Sequence, residues 1–330
     1  MKIAVLGGGT GTYYVLSGLK RLEDVELCAI VSIADSGGSS GIIRIEQGAL
    51  PPGDILRAML ALSDGGEFLR SLLTYRFEGG SLNSHTIGNL LITGSEKLKG
   101  GSLDGIRALH DVFRIRGRVI PVAAVAANLL AEHKDGRVTQ GECNIDVPVS
   151  QHGPIQRCYL DPPVRANTEA LDAIKSADIV VLCPGDLYTS LIPVLLVDGI
   201  VDALYDTTAR IVYVVNLITK KGETDGYTAR EFCRQVAKYI APAELGTVIV
   251  NTTRPSDDLL QKYDQAGVCL VEDDLNGDTF EVVREALLSE SMDRSPDNNN
   301  PLHKLIRHNP VRLARAIVGS SKPADTMRNA

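Results

Sequence analysis

The chain has 330 residues, with 34 lysines and arginines against 41 aspartates and glutamates, 44% apolar positions, 31 glycines, six cysteines and no tryptophan. A chain of this length holds one large domain or two closely joined ones and buries about three quarters of its unfolded surface. Its 23% charged residues and net charge of -7 argue against disorder and against nucleic acid as a ligand, since phosphate-backbone binding calls for an excess of basic side chains.

The apolar run in Met1 to Leu6 is too short for a signal-peptide core. The longest mostly apolar stretch, Val119 to Ala131, is interrupted by Pro121 and Asn128 and falls short of the ~20 residues of a membrane span. Cys28, Cys143, Cys158, Cys183, Cys233 and Cys269 are scattered without a CxxC pair. A cytoplasmic protein with buried, reduced thiols is expected.

In chain order, Lys2 to Leu6 predicts a strand, Val15, Leu16, Leu19 and Leu22 mark one face of a helix, and Leu27 to Ile33 predicts a second strand. From about 42 to 105 glycine-rich stretches separate helical segments at Ile55 to Leu62, Phe68 to Leu73 and Thr86 to Lys97. This region reads as a mainly helical insertion. Val119 to Ala126 predicts another strand, and between Arg137 and Leu160 the pair Asp135-Gly136 with alternating Ile145, Val147 and Val149 predicts antiparallel hairpin strands at a sheet edge. Buried strands are expected at Ile179 to Cys183, Ile211 to Leu217 and Thr247 to Val250. Ser289 to Pro301 reads as an exposed loop, and Leu302, Leu305, Ile306, Leu313, Ile317 and Val318 keep a helical spacing broken by Pro310. Continuous apolar strands alternating with helices suit parallel strands covered on both faces in an α/β chain, read as a single domain over residues 1 to 330.

Ligands of such a sheet sit beyond the carboxyl ends of its strands. After the first strand come Gly7, Gly8, Gly9, Thr10, Gly11 and Thr12, whose amides and hydroxyls at a helix start form a candidate phosphate cradle. It lacks the Gly-Lys-Ser/Thr ending of a P-loop, and Thr12 stands where a dinucleotide fingerprint has its third glycine. A tight strand-to-helix turn also accounts for it. After the second strand, Asp35 precedes a loop of Gly37, Gly38, Ser39, Ser40 and Gly41, which points to close backbone approach by a ligand. Asp54, after Pro51-Pro52-Gly53, is placed to cap a helix or to contact a ligand or cation. His85 and Asn89, four apart, would share a helix face with Gly88 between them, and a solvated helix start accounts for them equally well. Gly185, Thr189 and Ser190 follow the strand ending at Cys183, and Asn216 ends another strand; for both, a purely structural bond is as good an account as a ligand contact. Arg307 and Arg312 suit a diphosphate, although for either alone a surface salt bridge is the commoner role.

The six histidines, His85, His110, His133, His152, His303 and His308, make no HxH, HxxxH or HExxH pattern, and no GxSxG elbow is present. Magnesium through Asp35 and Asp54 rests only on two carboxylates distant in sequence. No resident metal or cofactor is expected.

Six motifs in fixed order, GGTGT at 8 to 12, IADSGGSSG at 33 to 41, LPPGD at 50 to 54, HTIGNLL at 85 to 91, PGDLYTSLIP at 184 to 193 and NLITKKGETDGYTA at 216 to 229, resemble the YvcK family of gluconeogenesis factors, from the superfamily of 2-phospho-L-lactate transferase. The likeness runs from residue 2 to about 318. It implies a Rossmann-like, doubly wound, mainly parallel sheet that binds a UDP-sugar, UDP-N-acetylglucosamine in the characterised branch. It also implies a homodimer and a part in regulating carbon metabolism and cell-wall growth or cell shape through an unidentified protein partner. No catalysis is established for that branch. By motif, Gly8 to Gly11 and Gly38 to Ser40 would surround the diphosphate, Gly185, Thr189, Ser190 and Asn216 would border the nucleotide, and Arg307 would be the principal arginine.

The chain departs from the family at Ser36, where a second aspartate is frequent, at Ser84 in place of glycine, and at Asp186 in place of serine. A carboxylate at 186 would repel a diphosphate unless it turns away or a cation intervenes. Two alternatives stand beside the sensor: a phospholactate transferase-like enzyme using a guanosine diphosphate carrier and magnesium, and a UDP-sugar enzyme with Asp35, Asp54 or His85 as general acid or base.

Overall fold

The computed structural model describes residues 1–146, 153–289 and 306–319. β1 (Lys2–Gly7) turns sharply into α1 (Gly9–Leu19), which returns to β2 (Glu26–Val31), and the two strands pair in parallel with Ile3 opposite Leu27 and Leu6 opposite Ile30. The chain then leaves the sheet for α2 (Gly38–Gln47), α3 (Pro52–Leu62), α4 (Gly66–Thr74), α5 (Ile87–Lys99) and α6 (Ser102–Phe113) before β3 (Arg118–Pro121) joins the outer side of β2. Helix α3 packs against α1 and the strands, burying Ile55, Ala58, Met59 and Leu62. β3 stops short of the predicted Ala126 because Ala123 bridges instead to Ala166.

A second sheet follows. β4 (Asn128–His133) and β5 (Val138–Gln140) form the antiparallel hairpin around Asp135-Gly136, and after α7 (Glu142–Asp146) strand β6 (Ile155–Asp161) pairs with the other edge of β4. These strands form a separate sheet of three, in the order β5-β4-β6. Ile145, expected in the hairpin, is buried on the short helix α7; Val147, Val149 and His152 lie outside the described residues.

The main sheet resumes with α8 (Thr168–Lys175), β7 (Ile179–Leu182), a π-helical turn at Leu187–Leu191 that runs into α9 (Ile192–Leu195), α10 (Ile200–Asp206), β8 (Arg210–Val214), α11 (Ala229–Ile240), β9 (Thr247–Asn251), α12 (Asp257–Gln265) and β10 (Glu281–Glu285). β11 (Leu288–Ser289) pairs antiparallel with β12 (Arg307–His308), and α13 (Pro310–Gly319) ends the described chain. Pro310 opens α13 rather than breaking it: a proline tolerates the first helical turn, where its missing N–H costs no bond. Leu302, Leu305, His303 and the expected loop beyond Ser289 lie outside the described residues.

All pairings in the main sheet are parallel, in the order β10-β9-β8-β7-β1-β2-β3. β1 and β7 are apolar and buried on both faces, as an interior parallel strand covered by helices must be. Strands are added outward from β1 in one direction and from β7 in the other, so the order reverses between these two central neighbours. Such a reversal opens a crevice at the carboxyl ends, because the connecting helices part to opposite faces. Helix α13 lies across α1 so closely that a Cβ on Gly18 would stand 2.7 Å from the Pro310 carbonyl carbon. Among the described residues no helix is long and apolar enough to cross a membrane. Four cysteines are buried, while Cys143 and Cys269 are exposed, against the expectation that all are interior.

Candidate functional site

A cleft of about 530 Å³ opens at that switch point. Its floor is Gly9, Thr10 and Gly11 at the start of α1, and its facing wall is Pro184, Gly185, Asp186 and Ser190. The two turns touch backbone to backbone: a Cβ on Gly11 would fall 2.5 Å from the Pro184 carbonyl carbon and 3.0 Å from the Gly185 nitrogen. Asn216 fixes the second turn with both ends of its amide, accepting from Gly185 N–H at 3.3 Å and donating to Gly185 C=O. The first turn is held by Asp54, whose Oδ1 accepts from Gly9 N–H at 2.8 Å, while Thr12 Oγ1 donates to Gly8 C=O at 2.9 Å. Leu217, Ile218 and Val268, with the Tyr263 ring, give one side of the cleft an apolar character, and Arg307 and His308 of β12 complete it.

Charge is concentrated at two places. On the α3 side, Asp54 is buried beside Arg57, whose Nη1 lies 3.1 Å from Asp54 Oδ1. Burial raises the Asp54 carboxyl, with Arg57 opposing and Asp35 adding to the shift. Burial likewise pushes Glu142 up to about 8, helped by the negative charges of Asp35 and Asp54. On the Gly185 side, Asp186, Glu223 and Asp146 bring carboxylate oxygens within 4.8 Å of one another. Lys220 Nζ stands among them, 2.6 Å from Asp186 Oδ2 and 3.5 Å from Glu223 Oε1, and also ion-paired with Asp146. Burial raises Asp186 and Glu223, and it lowers Lys220. The cation that a carboxylate at 186 required is therefore a lysine of the chain itself.

Of the residues singled out from sequence, Gly9, Thr10, Gly11, Asp54, Gly185, Ser190, Asn216 and Arg307 line the cleft. Gly8 packs on Asp54 behind the floor. Thr189 is buried in the π turn, and its Oγ1 has no hydrogen-bond partner among the described residues. The same holds for Arg307 Nε and His308 Nε2. Buried polar atoms left unpaired are costly, and of these three Arg307 and His308 line the cleft, where a polar ligand could pair with them. His308 is buried neutral, its imidazole pushed down to about 4 chiefly by that burial.

The residues around the second predicted loop form a structural block beside the cleft rather than part of its lining. Gly38 to Gly41 are the first turn of α2, not a loop, with Gly37 at its N-cap. Asp35 Oδ1 accepts from Gly37 N–H at 2.9 Å, and Ser40 Oγ from Gly53 N–H at 3.1 Å. His85 and Asn89 meet, but not on a helix face, since α5 starts only at Ile87 with Thr86 as its cap. Instead both converge on Ser39 Oγ, at 2.9 Å from His85 Nδ1 and 3.0 Å from Asn89 Nδ2. Gly88 allows contact with Leu56 of α3 rather than between that pair.

Sequence reasoning missed Arg57, Glu142, Asp146, Lys220, Lys221 and Tyr263. Lys220 and Lys221 follow β8, where the carboxyl-end rule would have found them, and Arg57 stands one helical turn after Asp54. Nothing local marks Tyr263 or Glu142, which reach the cleft from distant parts of the chain.

The family model described as 2-phospho-L-lactate transferase CofD matches residues 3–288. A putative gluconeogenesis factor of Thermotoga maritima is 39% identical over 317 residues, 96% of this chain and 98% of that protein. The gluconeogenesis factor of Bacillus subtilis is 34% identical over 323 residues, 96% of this chain and 97% of its own. A crystal structure of a UPF0052 family member from Bacillus halodurans superposes with a TM-score of 0.88 at 35% identity, covering 96% of this chain and 99% of the other. The fold, the ordered motifs and these likenesses agree: the chain belongs to the CofD family, among its gluconeogenesis-factor, YvcK-like members.

Proposed function

We propose that the protein binds a UDP-sugar, UDP-N-acetylglucosamine first among them, and works as a regulator of carbon metabolism and of cell-wall growth or cell shape rather than as a catalyst. The observation that carries this reading is the meeting of two glycine turns at the switch point, Gly9 to Gly11 against Pro184-Gly185, beneath Arg307. A diphosphate laid on the N-terminus of α1 would gain the dipole and the amides beyond Gly9, whose own N–H is held by Asp54. The Arg307 guanidinium, with Nε unpaired, would reach it from β12. The nucleoside then falls on Leu217, Ile218, Val268 and the Tyr263 ring, where a base can stack. Asn216 is spent on Gly185, so its role is to hold the diphosphate turn rather than to read the base.

The name that the relatives carry, gluconeogenesis factor, supports a place in carbon metabolism. As a sensor, the chain would present one surface to a partner protein when liganded and another when empty, with the ligand's differential affinity setting the balance; a homodimer is part of the same proposal. The transferase that gives the family its description favours a second reading, an enzyme acting on a guanosine diphosphate carrier with magnesium.

A thermal-shift panel tests both. Purified protein is heated with UDP-N-acetylglucosamine, UDP-glucose, UDP, GDP or NAD, each with and without magnesium, and the nucleotides are then recovered by chromatography. Ligand at 100 times its dissociation constant adds about 2.7 kcal/mol, a shift of several degrees. Stabilisation by the UDP-sugar, recovered intact, is the expected result. Stabilisation by GDP with magnesium and by no UDP compound would overturn it in favour of the transferase.

A further inference from the structure

Lys220 is an unusual occupant for the place it fills. Asp146 ends α7, Asp186 precedes the π turn and Glu223 lies in the loop after β8, so three separated segments deliver carboxylate oxygens to one spot within 4.8 Å of one another. That spacing matches the inner shell of a divalent ion, whose oxygen ligands stand about 2.0 to 2.6 Å from the metal. Lys220 Nζ occupies it instead, 2.6 Å from Asp186 and 3.5 Å from Glu223, with its side chain only 12% exposed. Apart from that ammonium, Glu223 has little to hold it: its side chain is fully buried, and a single backbone N–H, that of Tyr188, supports it. One backbone donor leaves most of a buried carboxylate's charge uncompensated, so a cation is required. An ammonium carries three donors on a flexible stem and can face three acceptors, whereas a water or an apolar side chain could not replace it.

We propose that Lys220 is a tethered cation standing in a divalent-metal position. With it in place, the Gly185 wall neutralises Asp186 and accepts an anionic ligand without a metal ion at these carboxylates; without it, Asp146, Asp186 and Glu223 become a site for magnesium or manganese. The first half rests on the nucleotide-sugar reading. The second half needs no ligand at all.

The test uses the full chain and Mn2+ alone, with uptake followed by calorimetry and by electron paramagnetic resonance, comparing the native protein with Lys220→Met. The variant is expected to take up one more Mn2+ per chain than the native protein, and Asp186→Asn added to it is expected to abolish that extra ion. Equal uptake by the variant and the native protein overturns the proposal. If Lys220→Met does not fold, Asp186→Ser in the otherwise native chain decides. Unchanged Mn2+ uptake is expected there, and a lost ion would mean that the carboxylates already hold metal with Lys220 set aside.

UDP-N-acetylglucosamine is then titrated in EDTA and in Mg2+. Native affinity should be the same in both, whereas Lys220→Met should lose at least about tenfold in EDTA and recover it in Mg2+. A native protein that needs Mg2+ to bind, and loses that need in Asp186→Ser, refutes the metal-free wall. A native protein that binds no UDP-sugar refutes the functional reading while leaving the Mn2+ result to stand or fall by itself.

Discussion

Gly11 offers the most direct probe of the cleft floor. Replacing it with alanine adds one methyl group where the Pro184 carbonyl carbon would stand 2.5 Å and the Gly185 nitrogen 3.0 Å away. The Pro184 carbonyl oxygen would be nearer still, and carbon atoms sit comfortably at about 3.5 to 4.0 Å, so the two turns must part by more than about 1 Å. The neighbours are backbone in a turn that Asn216 already pins from the other side, so no flexible side chain can give way. Overpacking of this kind costs about 1 to 3 kcal/mol, and for a chain of this size the melting temperature should fall by about 1.5 to 4 °C. Gly94 is the matched control. It lies inside α5 with nothing within 4 Å of an added Cβ, and Gly94→Ala should hold or raise the melting temperature through helix propensity, by about 0.5 to 1 kcal/mol. Calorimetric melting of both variants, followed by titration with UDP-N-acetylglucosamine, reads stability and binding separately. If Gly11→Ala melted with the native protein and bound ligand equally well, the apposition of the two turns would not be what shapes the cleft.

Arg307→Ala should weaken UDP-N-acetylglucosamine by about 1.5 to 3 kcal/mol, the worth of a charge-assisted bond; an unchanged calorimetric dissociation constant would remove Arg307 from the site. Glu142, pushed up to about 8 from 4.5 mainly by burial, keeps a proton in the folded chain that the unfolded chain has released. Stability should therefore decline as pH rises from 4.5 towards 8, and Glu142→Gln should flatten the dependence of the urea midpoint across that window. His308 works at the other end: lowered by burial to about 4 from 6.5, it lets the unfolded chain bind a proton that the folded chain refuses. Stability should be lost as pH falls from 6.5 to 4, and a His308→Gln variant that kept the native slope would show that this histidine is not its source.

The sheet is legible in the sequence because its interior strands are apolar on both faces, and a run such as Ile179 to Leu182, short and β-branched between turns, suits a strand covered by helices on either side. The edge strand β10 is hidden for the complementary reason. Its five residues, Glu281 to Glu285, carry three charges and are half exposed or exposed, which is how an edge is kept from pairing with a stranger. Both glycine turns of the cleft can be read from their position after strands. Ser39, His85 and Asn89 stand out as polar residues in company, but whether they face a ligand or the interior depends on how α2 and α5 pack, which no local pattern records. Asp186 is the instructive residue, since sequence chemistry demands a partner for it and cannot say which. Lys220 is 34 positions away, and only the loop after β8 brings it within reach.

The cleft draws on residues from Gly9 to His308, nearly the whole run of the sequence. On a ribosome, synthesis proceeds from the N-terminus and domains fold as they emerge, so α1 and its glycine turn are made first and wait longest. Until β12 has left the exit tunnel there is no Arg307 to close the cleft, and until α13 follows, the face of α1 beside Gly18 has no cover. A nascent or clipped chain would thus be blind to the ligand even with most of its sheet formed. Occupancy of the cleft would certify a chain made at least as far as β12, and a metabolite that binds there would stabilise no shorter one.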